Sequence, residues 1–110
     1  MATTYKILGQ LAPSATTNST LYTVPSATET IVSTFVVANR GTTAANFRIA
    51  VRPNGGALSN DHYIAFDVAV AAFDSTTMTI GATLDAADVI TVFASNANLT
   101  FSAFGSEITA

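Results

Sequence analysis

Apolar side chains recur at every second position along most of this chain, and a period of two commits a polypeptide to extended segments whose alternate side chains point to opposite faces. Phe47-Arg48-Ile49-Ala50-Val51-Arg52 is the clearest case. Phe47, Ile49 and Val51 share one face and Arg48 and Arg52 the other, so the spacing predicts a strand with one buried and one solvated side. Ile31 to Ala38 is rich in β-branched residues and apolar on both faces over part of its length. That pattern suits a central strand covered on each side, and it makes the outer cover, at Val36, a candidate interface. Further strands are expected at Tyr5–Gly9, Thr20–Val24, His62–Val70, Thr76–Ile80, Val89–Ser95 and Leu99–Phe104, about eight in all.

Turn chemistry falls between these segments. Asn39-Arg40-Gly41 tolerates positive φ after the central strand, and Pro53-Asn54-Gly55-Gly56 stops the next one. Asp85–Asp88 and Ser95–Asn98 separate the last three strands by distances short enough for antiparallel neighbours. No helical run is long enough for a βαβ crossover. The expectation is an all-β chain of one domain over residues 1–110, an antiparallel β-sandwich or jelly-roll-like barrel, with the strand order left open.

Composition then bears on function. Hydrophobic residues make up 49% of the chain and charged residues only 10%. A self-sufficient small domain ordinarily spreads more charge over its surface, so the deficit points to cover by other protein, whether copies of the chain or a larger shell. With a net charge of −3 and only Lys6, Arg40, Arg48 and Arg52 as cations, the chain lacks the basic cluster that binding a phosphate backbone requires, which argues against nucleic acid. There is no cysteine, hence no disulfide framework and no thiolate chemistry. No apolar run approaches membrane-spanning length, and the amino terminus lacks the apolar stretch of a secretory signal, so synthesis in the cytosol without membrane insertion is expected.

Candidate chemistry is sparse. His62 has Asp61 beside it and Asp67 near it, but by alternation it shares a face with Ile64, Phe66 and Val68, so a packed, hydrogen-bonded histidine is the expectation. Ser102 and Ser106 lie outside any Gly-x-Ser-x-Gly elbow. Asp85 with Asp88, and Asn60 with Asp61, lack the order of a calcium loop and read as turn residues. No catalytic residue, cofactor or metal site is assigned. Arg48 and Arg52, on one strand face, are candidates to clamp a carboxylate such as Glu29 or Glu107 of a neighbouring subunit.

Phe93, Phe101 and Phe104, with Tyr63, Phe66 and Phe73 before them, make the carboxyl half the expected source of most large core side chains. Phe101 and Phe104 differ by an odd number, so one fills the core while Phe104 can project outward as a subunit contact. The loops Ala12–Ser19 and Pro53–Asp61 are candidate contact arms.

The succession LYTVP, IVSTFVVANRG, FRIAVRP, HYIAFDVAV, DVITVFAS and LTFSAFGSEI, from about Tyr5 to Ile108, resembles a family of small virion structural proteins of tailed bacteriophages, notably those of aquatic bacteria. The resemblance implies a non-enzymatic particle component that self-assembles after synthesis in the infected cell. One placement is capsid decoration or cement, as a trimer or ring of copies against the major capsid protein. The alternative is a neck, tail or fibre-base subunit. A carbohydrate-binding adhesion module is a further alternative, for which Tyr63 beside the Pro53–Asp61 loop is the best-placed aromatic.

Overall fold

The period-two segments form eight strands in the computed structural model, which describes residues Ala2 to Thr109. They are β1 (Ala2–Leu11), β2 (Ser19–Thr23), β3 (Thr28–Asn39), β4 (Ala45–Arg52), β5 (Tyr63–Val70), β6 (Ser75–Leu84), β7 (Val89–Ala94) and β8 (Leu99–Thr109). Every expected strand is present, and β1, β6 and β8 run several residues past the expected bounds. The added residues are mostly small or polar, among them Thr3, Thr4, Thr83, Ser106 and Thr109, which the apolar alternation does not register. Two 3-10 turns, Pro53–Gly55 and Asn60–His62, break the link between β4 and β5.

The strands make two four-stranded antiparallel sheets, ordered β1-β8-β3-β6 and β2-β7-β4-β5, so the chain is a β-sandwich. The pairs β1·β8, β2·β7, β3·β6 and β4·β5 nest inside one another, which is the wiring of a jelly roll. The turns before and after β7 therefore do not join antiparallel neighbours, contrary to expectation. β6 and β8 lie in the first sheet and β7 in the second, so both turns cross the sandwich. A turn of this length spans sheets ~10 Å apart as readily as strands ~4.8 Å apart, so its length does not distinguish the two.

The inner faces enclose one core whose largest fully buried side chains are Phe35, Phe47 and Phe101. Phe47 and Phe101 meet edge to face across the sandwich, ring centroids 6.0 Å apart at 79°. The expected concentration of core aromatics in the carboxyl half does not hold: Phe66 is 54% exposed and Phe73 72% exposed, while Phe35 and Phe47 come from the amino half. For Phe66 the cause lies in β5. Asp67 has φ 52°, and the register against β4 shifts between the Phe47–Val68 and Ile49–Ala65 pairs. This bulge moves the inner face from Ala65 to Val68 and Val70 and turns Ile64 and Phe66 outward. β3 also changes phase, from Thr28, Thr30 and Val32 to Phe35, Val37 and Asn39, where its register shifts beyond Val32.

Candidate functional site

The outer face of the first sheet carries an apolar surface built by cross-strand registry. Tyr5 lies opposite Ser106, and Ser106 opposite Ile31; in the next row Ile7 faces Phe104 and Phe104 faces Thr34. Tyr5 is 85% exposed, Ile7 52% and Ile31 38%, and with Phe104 they line an open groove of about 660 Å³. Alternation along β1 separates the two consecutive apolar residues: Leu8 enters the core while Ile7 projects. The charged residue lining the groove, Lys6, is paired with Glu107 at 3.2 Å, so the apolar rows meet solvent without an unpaired charge.

Two of the four interface candidates belong to this face. Phe104 sits in the groove wall and Val36 one row further along, half-buried opposite Ser102 and Thr77. Phe101 is buried, so the two phenylalanines of β8 do occupy opposite faces. Spacing alone does not single out Tyr5, Ile7 and Ile31.

Arg48 and Arg52 lie on the opposite side of the molecule, on the outer face of the second sheet. The Arg48 guanidinium sits between two rings, 4.2 Å from the Phe66 centroid and 4.5 Å from that of Phe93, and its Nε donates to Asp67 at 2.7 Å. Tyr63 packs edge to face on Phe66, centroids 4.9 Å apart. Arg52 donates to Thr91 Oγ1 at 3.0 Å and to the carbonyls of Gly55 and Gly56 at 3.2 and 2.8 Å, which ties down the turn after β4. Both arginines thus have partners within their own chain. The Pro53–Asp61 loop is held as well, since the Asn54 amide donates to Asp88, and Thr16 in the other candidate arm donates its amide to the Ala94 carbonyl at 2.8 Å.

One polar network closes an end of the sandwich. The Tyr22 hydroxyl donates to Glu107 at 2.5 Å and lies 2.8 Å from the Thr30 hydroxyl. Burial, then the Glu107 carboxylate, pushes the Tyr22 phenol up to about 12. The Tyr22 hydrogen bond, helped by Lys6, holds the Glu107 carboxyl below its ordinary 4.5. Glu107, with its folded value depressed, contributes stability that is whole above 4.5 and is lost as the pH falls through the folded value. Tyr22, with its folded value raised, contributes stability that is whole below 10.0 and is lost as the pH rises through about 12. Tyr22→Phe should therefore lower stability by about 1–3 kcal/mol near neutral pH and flatten both limbs of the melting temperature against pH. Unchanged limbs in that variant would exclude the network as their source.

The residues weighed for catalysis are not brought together. His62 ends a 3-10 turn in front of β5, where its Nδ1 accepts the Ser59 amide at 3.2 Å, whereas Ser102 and Ser106 are in β8 on the other sheet. Asp88 accepts the amides of Asn54 and Asp85, and Asp85 accepts that of Ala86, so these carboxylates organise turns. Among the described residues no three His, Cys, Asp or Glu side chains converge on a metal-sized site, and no helix is long and apolar enough to cross a membrane. Compared with known protein families the chain matches none of their models, and no curated protein matches it.

Proposed function

We propose that the protein is a non-enzymatic structural subunit of a tailed-bacteriophage particle that self-assembles and coats the capsid, docking through the outer face of its first sheet. The observation that carries this reading is the apolar surface of Tyr5, Ile7, Ile31 and Phe104, presented on rigid strands with its single lysine paired. An exposed apolar patch on a regular sheet suits a flat, repeated protein surface better than a small ligand, which calls for an enclosing pocket. The sequence resemblance to virion proteins points the same way. Jelly-roll sandwiches serve both viral shells and lectins, an analogy of fold that is consistent with the reading without choosing within it.

The carbohydrate-binding alternative is weaker at Tyr63, whose ring packs edge to face with Phe66 while Arg48 occupies one face of Phe66 and one of Phe93, so these aromatics are engaged with one another and with the arginine. Copy number separates the placements within a particle. Copies on the order of hundreds per purified virion fit a capsid coat, whereas roughly a dozen place the subunit at the neck or tail. Ile7→Asp and Val36→Lys, both on the outer face, should keep the fold within about 0.5 kcal/mol of wild type and weaken binding to undecorated shells by about tenfold or more. Shell binding unaffected by both substitutions, or absence of the protein from purified particles, would overturn the proposal.

A further inference from the structure

Six consecutive residues of β1, Ala2 to Ile7, are exposed, whereas no other strand has more than two exposed residues in succession. The run lies on an edge strand, so its backbone is paired on one side, with β8. None of its side chains enters the core. The rest of β1 is anchored differently. Leu8 is part of the core and Leu11 packs against it, and Gly9 lies so close to β2 that a Cβ there would strike the Leu21 carbonyl oxygen. The register shift between Ile7 and Gly9 falls on the boundary of the two halves and interrupts the ladder that would otherwise couple them.

Among the described residues Lys6 is the side chain of this run that bonds to another strand. By alternation with Leu8 it lies on the inner side of β1, and its Nζ donates to Glu107 Oε1 at 3.2 Å. The other carboxylate oxygen of Glu107 accepts from the Tyr22 hydroxyl, which also lies 2.8 Å from Thr30 Oγ1. Lys6 from β1 and Tyr22 from β2 are the titratable groups that face Glu107, and β3 presents the Thr30 hydroxyl. The Glu107 side chain is 14% exposed, so the end of this chain of contacts is partly shielded from solvent. An otherwise unanchored half-strand is thereby fastened to both sheets.

We infer that Ala2–Ile7 is a strap that opens from β8 as a unit while the rest of the sandwich stays folded, with Lys6 on Glu107 as the clasp that holds it closed. Segments without buried side chains open at the low end of the free energies found within a domain. The opening reaches the outer groove, because Tyr5 and Ile7 form one of its walls whereas Ile31 and Phe104 belong to strands that stay. With the strap open that wall is gone, so the groove exists in the closed form alone. A surface docked across it would hold the strap shut, and whatever unfastens Lys6 opposes docking. This regulatory use rests on the reading of the groove as the docking face; the opening itself does not. Acid is one such agent. The Glu107 carboxyl is held below its ordinary 4.5, so the clasp is whole above 4.5 and is lost as the pH falls through the folded value.

Amide hydrogen exchange of the purified protein, resolved by residue and with no particle present, tests the strap. In the wild type the hydrogen-bonded amides of Ala2–Ile7 should be about tenfold or more less protected than those of Leu8–Leu11 and of β3. Lys6→Met, which keeps most of the stem and removes the charge, should speed exchange in Ala2–Ile7 about fivefold and leave Leu8–Leu11 and β3 unchanged. Glu107→Gln, which leaves Tyr22 an oxygen to donate to, should speed exchange in the same residues. In the wild type the protection of Ala2–Ile7 should fall as the pH drops below 4.5, and in Lys6→Met, whose clasp is already missing, it should not. Even protection along β1, strap exchange that both substitutions leave unchanged, or an acid response as large in Lys6→Met as in wild type would each overturn the inference. Undecorated shells separate it from the docking proposal. Saturating binding through the closed groove should slow strap exchange about tenfold or more. A strap that behaves as expected in the free protein but is not slowed by bound shells would overturn docking through the groove and leave the strap standing.

Discussion

A chain ending at Asn98 is expected to be insoluble and without a cooperative thermal transition, because β8 is the strand on which the first sheet is assembled. β8 lies between β1 and β3, and β1 has no other strand partner in its sheet. Its removal leaves β1 detached and β3 paired only with β6, and a two-stranded ribbon is marginal in water. The same deletion takes Leu99, Phe101 and Ala103 out of the core and leaves Phe47 without the ring it packs against. Loss of a buried phenylalanine alone costs about 3–5 kcal/mol, against a total stability for a domain of this size of about 5–15 kcal/mol. The truncated chain also exposes two long unpaired edges, which favours aggregation over a partly folded monomer. Soluble expression with a cooperative melt would mean that the remaining strands close the core without β8.

The positions of the strands are legible in the residues, since Phe47-Arg48-Ile49-Ala50-Val51 has one reading at period two and the structure buries Phe47 and Ile49, with Val51 half-buried against the same core. The partition of strands between sheets is not legible, because the four residues from Asp85 to Asp88 serve equally to reverse within a sheet and to cross between sheets. Phase is lost at bulges. Alternation from His62 to Val70 puts Phe66 inside only if β5 is regular, and the one local sign to the contrary is Asp67, a residue type tolerant of the positive φ it adopts. Phe104 could be placed outward because β8 keeps its alternation across the sheet from Leu99 to Phe104. The rest of the apolar face could not, since Ile7, Leu8 and Ile31 are equally apolar whichever side they take. The in-chain partners of Arg48 and Arg52 depend on β4 lying between β5 and β7, which only the strand order reveals.

Gly105→Ala is expected to be the most damaging single substitution outside the core side chains. Gly105 pairs with Val32 on one side and Lys6 on the other, at the register shift where β3 changes phase. A Cβ there would lie 1.9 Å from the Ile31 carbonyl oxygen, 3.0 Å from its carbon and 3.1 Å from the Val32 Cα. All three are backbone atoms, so no side chain can swing away to make room; β3 and β8 must move apart where their ladder is continuous on both sides. Crowding of this kind costs up to about 3 kcal/mol and more where the backbone cannot yield, which in a domain of this size lowers the melting temperature by about 12 °C or more. The strands that separate are those that set Phe104 beside Ile31 in the outer groove, so shell binding should fall together with stability. Gly81→Ala is the matched control. It adds the same methyl group where nothing lies within 4 Å, and in the monomer it should be neutral or stabilising by about 0.4–1 kcal/mol. A Gly105→Ala protein that melts within about 2 °C of wild type would rule out the close approach of β3 to β8, and with it the packing that presents the apolar face.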